Sequence, residues 1–119
     1  MRIWRALFGS GEVGEGIQKL HERKYEEAIR LFNRALDRDP SDWEAWFHRG
    51  IAYLESGRPD EAIRDFTESL RWREGVEGYY NRAMAWLEKG DLERALADLD
   101  AALRLDPEDA EAWNMRAIV

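Results

Sequence analysis

The chain contains no cysteine, and that absence excludes disulfides, thiolate nucleophiles and cysteine-based zinc sites. Histidine is nearly as scarce. His21 and His48 stand alone, with no second ligand at metal spacing and no nucleophile pattern beside either, so no metal, cofactor or catalytic site is expected. No apolar run approaches the roughly 20 residues a membrane helix needs, and in the opening Met1-Arg2-Ile3-Trp4-Arg5-Ala6-Leu7-Phe8, Arg5 interrupts what would be a signal core. Basic charge is in deficit, with Lys+Arg 18 against Asp+Glu 25 and a formal net charge of -7, so most of the surface repels phosphate backbones. The expectation is a soluble, cytoplasmic protein with neither nucleic acid nor membrane as partner. Its 119 residues, 45% hydrophobic, suffice for one domain.

Internal repetition is what the chain has in abundance. Three segments carry Ala, a large apolar residue four positions on and a small residue three after that: Ala28/Phe32/Ala35, Ala62/Phe66/Ser69 and Ala95/Leu99/Ala102, with lead alanines 34 and 33 residues apart. Ile29 and Leu36, Ile63 and Leu70, and Leu96 and Leu103 complete an i, i+1, i+4, i+7, i+8 stripe in each, the apolar face of an amphipathic helix. The small members admit a second helix at close range. That helix lies upstream, where Trp46/Gly50/Tyr53 recurs as Tyr79/Ala83/Trp86 and begins again at Trp113/Ala117, its tyrosine-equivalent falling past Val119.

Turn signals fall where this pattern needs them. Gly57-Arg58-Pro59-Asp60 and Gly90-Asp91 divide helices within a unit, and Asp39-Pro40 and Asp106-Pro107 divide the units. Ser41-Asp42-Trp43-Glu44 reads as a capping box with Ser41 at its head. Seven helices follow: three pairs and one left over.

The pattern resembles the tetratricopeptide repeat family, whose signature runs Trp, Leu-Gly, Tyr, Ala, Phe, Ala, Pro over about 34 residues. The likeness covers Gly9 to Val119. Its residues are Gly16, Tyr25, Ala28, Phe32, Ala35 and Pro40 in the first unit, then Trp46, Gly50, Tyr53, Gly57, Ala62 and Phe66, then Tyr79, Ala83, Trp86, Gly90, Ala95, Ala102 and Pro107. The resemblance implies an all-α fold, an α-α superhelix: a right-handed solenoid of antiparallel helix pairs, three tetratricopeptide units plus a truncated fourth first helix. The units would be residues 9–42, 43–75 and 76–109, with 110–119 as a capping helix and 1–8 as an apolar and basic leading segment. Two departures stand out. The second unit ends Trp72-Arg73-Glu74-Gly75, without proline and one residue short. The first opens with Gly9, Gly11, Gly14 and Gly16, each costing about 0.5–1 kcal/mol inside a helix, so that helix is expected to start late or fray.

Other motifs reduce to the repeat. Gly9-Ser10-Gly11-Glu12-Val13-Gly14 matches a dinucleotide fingerprint but lacks the βαβ context it needs. Asp37, Asp39 and Asp42 begin like a calcium loop, yet Pro40, Ser41 and His48 break it, leaving turn and cap residues. Of six tryptophans, Trp46, Trp86 and Trp113 fall on the core stripe, Trp43 at a helix start and Trp72 near a helix end. Trp4, with Ile3, Leu7 and Phe8, lies outside the pattern and is suited to capping the solenoid, entering a groove or meeting a second chain. Arg49, Arg82 and Arg116 recur in first helices while Asp65 and Asp98 recur in second helices, and the first unit has Glu15 and Leu31 instead. Ion pairs follow, either within a unit (Arg49 with Asp65) or across units (Arg82 with Asp65).

In the family resembled, the first helix of each unit lines a concave face that holds ligands. The corresponding stripe is offset by one residue from the core stripe. It reads Val13, Ile17 and Leu20, then Phe47, Ile51 and Leu54, then Tyr80, Met84 and Leu87, then Asn114 and Ile118, flanked by His48, Asn81 and Met115 and by Glu44, Glu77 and Glu111. Some members grip a chaperone's C-terminal carboxylate with lysine, asparagine and arginine, where this chain has Val13, Ile17, His48, Glu77 and Asn81. The expected function is therefore a non-catalytic scaffold that binds an apolar or amphipathic, basic peptide. Phe47, Tyr80 and Asn81 lead the contacts, and Ile51, Leu54, Met84 and Leu87 are shared with helix packing. The alternative is a homo-oligomer whose groove or last helix is filled by its own kind.

Overall fold

The computed structural model describes residues 11–119, all of whose regular structure is helical. Trp4 and the rest of segment 1–8 lie outside the described residues. The helices are α1 (Gly11–His21), α2 (Tyr25–Arg38), α3 (Trp43–Glu55), α4 (Pro59–Trp72), α5 (Val76–Glu88), α6 (Leu92–Leu105) and α7 (Ala110–Ile118). They pack as the pairs α1/α2, α3/α4 and α5/α6, each stacked on the next, with α7 against α6. The body measures 45 × 27 × 21 Å.

Within each pair the fit is set by side-chain size. A Cβ on Gly16 would meet the ring of Phe32, and one on Gly50 would lie 2.7 Å from Phe66 Cε1. Both rings are fully buried. In the third pair the smaller Leu99 takes the place of the phenylalanine, and Ala83 takes the place of the glycine, both at 0% exposure in one cluster. The methyl group is accommodated because the partner has shrunk, as close packing demands. The same contact explains α1, which is helical from Gly11 onward. Fraying at Gly16 would uncover Phe32, and that cost outweighs the glycine's backbone entropy.

The turns closing α1, α3 and α5 share one form. Their C′ residues Arg23, Gly57 and Gly90 have φ of 61, 81 and 78°. Amides at Lys24, Arg58 and Asp91 reach back to carbonyls of Lys19, Tyr53 and Trp86 at 2.9, 2.8 and 2.9 Å, the bond of a Schellman motif. Arg23 bears a Cβ in a left-handed position that glycine occupies elsewhere.

Between units the chain turns on aspartates. Asp42 and Asp109 accept from the amides of Ala45 and Ala112 at 3.2 and 3.0 Å. Asp42, not Ser41, is thus the cap of α3, which corrects the capping box by one residue. The Ser41 hydroxyl instead donates to Asp39 Oδ1 at 2.6 Å. The indole N–H of Trp46 donates to the Pro40 carbonyl, and that of Trp113 to the Pro107 carbonyl, both at 2.7 Å. Where the second unit lacks the proline, only Arg73, Glu74 and Gly75 join α4 to α5. There the Tyr79 hydroxyl donates to Glu74 Oε1 at 2.6 Å, doing the indole's work.

Candidate functional site

The two sides of the solenoid differ because first helices crowd one another. α1 approaches α3 and α3 approaches α5 more closely than neighbouring second helices meet, so the stack curves with the first helices on the inner face.

The outer seam carries the recurrent ion pairs. Arg49 grips Asp65 through Nε and Nη2, each at 2.8 Å, and Arg82 grips Asp98 at 2.8 and 2.7 Å. Both pairs lie within a unit. Each arginine also reaches the preceding unit, Arg49 Nη1 donating to Asn33 Oδ1 at 2.7 Å and Arg82 Nη1 to Thr67 Oγ1 at 3.1 Å. Among the described residues Arg116, on the last helix, makes only the backward hydrogen bond, to Asp100 Oδ1 at 2.8 Å. A cavity of about 530 Å³ opens beside Trp46, Arg49, Tyr53 and Asp65. Its arginine and aspartate already satisfy each other.

On the inner face, the sequence-predicted residues fall into three groups. Leu20 is 7% exposed and belongs to the core against which Ile17 and Ile51 pack, and it meets the inner face as part of the lining of a recess beside His48. Ile17, Phe47, His48, Ile51, Leu54, Tyr80, Asn81, Met84 and Leu87 are half-buried, and Asn114 and Ile118 are exposed, the latter at 76%. Phe47 packs on Phe66 with ring centroids 5.8 Å apart and meets His48 edge-on at 5.1 Å. The Asn81 amide donates to the Glu77 carbonyl at 2.8 Å, which holds its side chain against α5.

His48 is the most perturbed group there. Its Nδ1 lies 3.0 Å from the Glu44 carbonyl, an acceptor only, so Nδ1 carries the proton and Nε2 the lone pair. Burial, with a smaller contribution from His21, lowers its pKa to about 4. Near neutral pH it is an uncharged ring beside Phe32 and Phe47. With Leu20, His21, Arg23, Ile51 and Glu55 it lines a recess of about 370 Å³.

Sequence reasoning missed how the charge is divided. Apart from histidine, α3, α5 and α7 contain one cation each: Arg49, Arg82 and Arg116. All three are spent on the outer seam. The acids of the same helices, Glu44, Glu55, Glu77, Glu88 and Glu111, are exposed and make no ion pair among the described residues. Periodicity held the signal, since Arg49, Arg82 and Arg116 recur in one register, each a residue before Gly50, Ala83 or Ala117. Among the described residues no three His, Asp or Glu side chains gather to hold a metal, and no helix is long and apolar enough to cross a membrane.

Comparison with known proteins identifies the architecture. Residues 13–75 and 76–109 each match the tetratricopeptide repeat family. Superkiller complex protein 3 of Homo sapiens is 33% identical over 63 residues, which are 53% of this chain and 4% of that protein. The chain thus spans a small part of this relative's length. Among solved structures, the first tetratricopeptide domain of Spaghetti (RPAP3) bound to the HSP90 peptide SRMEEVD superposes with a TM-score of 0.86 at 25% identity, over 89% of this chain and 85% of that one. The second such domain of human RPAP3, in complex with the HSP70 peptide SGPTIEEVD, gives 0.85 at 26% identity, over 89% of each. Sequence signature, helix pairing and superposition agree: the chain belongs to the tetratricopeptide repeat family.

Proposed function

We propose that this protein is a non-catalytic peptide-binding module whose inner groove takes an apolar or amphipathic segment carrying positive charge. The observation that carries the reading is the division of charge: every arginine of α3, α5 and α7 is engaged on the outer seam, while their five glutamates stand unpaired beside half-buried apolar side chains. Structural neighbours bind the peptides SRMEEVD and SGPTIEEVD, which supports a peptide as ligand, but both peptides are acidic at the end. At the places where a carboxylate clamp would stand, this chain has buried Val13, half-buried Ile17, uncharged His48, Glu77 and an Asn81 amide already bonded. A terminal carboxylate would meet glutamates there, and like charge excludes it. In this reading units 9–42, 43–75 and 76–109 carry the groove and 110–119 closes it.

Fluorescence anisotropy tests the reading with two labelled probes, SRMEEVD and a synthetic amphipathic Leu/Lys peptide. The Leu/Lys peptide binds, and Phe47→Ala with Tyr80→Ala weakens it at least tenfold while far-ultraviolet circular dichroism is unchanged. Equal affinity for SRMEEVD would overturn the charge preference, and unchanged binding to the double variant would overturn the groove.

A second reading rests on α7, where Trp113 and Ile118 are 50% and 76% exposed. A second copy covering these side chains would remove them from water. Light scattering decides it: a dimer that Trp113→Ala with Ile118→Asp dissociates supports self-assembly, and a monomer throughout rules it out.

A further inference from the structure

His48 leaves half of its hydrogen-bonding capacity unused. Its Nδ1–H is committed to the Glu44 carbonyl at 3.0 Å, so Nε2 is an acceptor and nothing else. That nitrogen has no hydrogen-bond partner among the described residues, and it is not sealed from solvent. The ring packs against Phe47, edge-on at 5.1 Å, and Phe32 at 6.2 Å, which fixes where the acceptor stands. With Nδ1 turned back to its own helix, Nε2 is the polar end that the ring offers to the recess of about 370 Å³ it lines with Leu20, His21, Arg23, Ile51 and Glu55. We propose that this recess is the selective part of the groove and takes a tryptophan of the bound peptide, the indole N–H donating to His48 Nε2. The proposal rests on the groove reading and names one side chain that the ligand carries.

Charge decides against a lysine in this recess. Arg23 and Glu55 both line it and neither makes an ion pair among the described residues, so their opposite charges offset each other. Glu44, Glu77 and Glu111, exposed in the first turns of α3, α5 and α7, have no such cation beside them in an ion pair. The ligand's positive charge belongs at those helix starts, and a neutral group belongs in the recess. Burial, with His21 adding to it, lowers the His48 pKa to about 4, so near neutral pH the nitrogen facing the recess is a lone pair. A carbonyl or carboxylate, which only accepts, finds no donor there. Leucine or phenylalanine would cover Nε2 without bonding it, taking an acceptor from water with nothing in return. Tyrosine donates, but its oxygen also accepts, and the ring has no free proton to give. Indole meets each condition: it donates without accepting, and its large apolar body suits Leu20 and Ile51. The chain uses the same donor itself, where Trp46 and Trp113 bond the carbonyls of Pro40 and Pro107 at 2.7 Å.

Anisotropy with variants of the synthetic Leu/Lys peptide tests this in the full chain. In one series each leucine in turn is tryptophan, and at one position the exchange strengthens binding roughly tenfold. At that position benzothienylalanine, the sulfur isostere of tryptophan without its N–H, binds about fivefold more weakly than tryptophan. In His48→Phe, which keeps a ring but has no acceptor, tryptophan and isostere bind alike. That variant also loses the bond to Glu44, so the ratio of the two affinities is read and not either affinity alone. Nitrogen-15 NMR of histidine-labelled protein gives a second readout, with His21→Gln assigning the signals. The His48 Nε2 resonance moves upfield when the tryptophan peptide is added and stays in place with the isostere. Equal binding of tryptophan and isostere by the natural chain would overturn the pocket, and so would an Nε2 signal that tryptophan leaves unmoved. The parent Leu/Lys peptide separates the two ideas. If it binds and Phe47→Ala with Tyr80→Ala releases it while tryptophan brings no gain, the groove stands and the pocket falls. If no peptide of the set binds, both fall.

Discussion

The first helices α3 and α5 treat their C-terminal ends in the opposite way from the second helices of this solenoid. The second helices α2, α4 and α6 place Arg38, Arg71 and Arg104 in the last turn, where a cation complements the carbonyl end of the helix dipole. The first helices α3 and α5 have no base there and end in Glu55 and Glu88, charge of the sign that the dipole disfavours. The same helices send their arginines to the outer seam and into bidentate pairs. Outer charges are arranged for the fold, and inner charges are left against it. That contrast teaches where to look for function, because local stability is sacrificed mainly where something else is served.

The largest effect should come from breaking the outer seam. Asp65→Ala leaves Arg49, only 18% exposed, with no carboxylate, and a half-removed buried pair costs about 3–5 kcal/mol. Arg116→Ala removes a pair exposed at 47% and 48%, worth less than about 1 kcal/mol. Urea denaturation of both variants measures the difference. Equal losses would mean that burial does not rank these pairs and that the two sides of the molecule are less distinct than their geometry says.

A smaller effect belongs to the inner face and depends on pH. The folded pKa of His48, about 4, lies below the ordinary value near 6.5, so the unfolded chain takes up the proton first as pH falls. The stability linked to this residue is complete above about pH 6.5 and is lost progressively between there and pH 4, up to about 3 kcal/mol. His48→Gln cannot titrate. Its urea midpoint should fall less between pH 7 and pH 4.5 than that of the natural chain, and parallel falls would assign the loss to other groups.

Most of this fold is legible in the sequence, because a repeated stripe is a redundant signal. Ala28, Ala62 and Ala95 fix the register of every second helix, and all three are 0% exposed. What stayed open were choices between two chemically sound options. Arg49 can bond an aspartate in its own unit or an acceptor in the previous one, and it does both, which spacing alone cannot say. Ser41 and Asp42 can each cap α3, and Asp39 decides the matter by taking the Ser41 hydroxyl. On the groove, an offset of one residue puts the deeply buried Leu20 in the same row as the half-buried side chains of α3 and α5. Leu20 sits in the core with Phe32 and Ile29, and a sequence stripe has no way to register how deep each row lies.

The smallest effect is the sharpest test of the contrast. Glu55→Gln with Glu88→Gln removes two charges from helix C-termini, where each is worth a few tenths of a kcal/mol in the wrong direction. Neither glutamate makes an ion pair among the described residues, so nothing structural is lost with it. Stability should rise by about 0.3–1 kcal/mol in total, while affinity for the amphipathic Leu/Lys peptide falls. Urea midpoints and anisotropy on the same two samples give both numbers. A gain in stability with unchanged affinity would leave these acids without a role in the groove. A loss of stability would show that they hold the fold after all, and the inner face would then differ from the outer one in position alone.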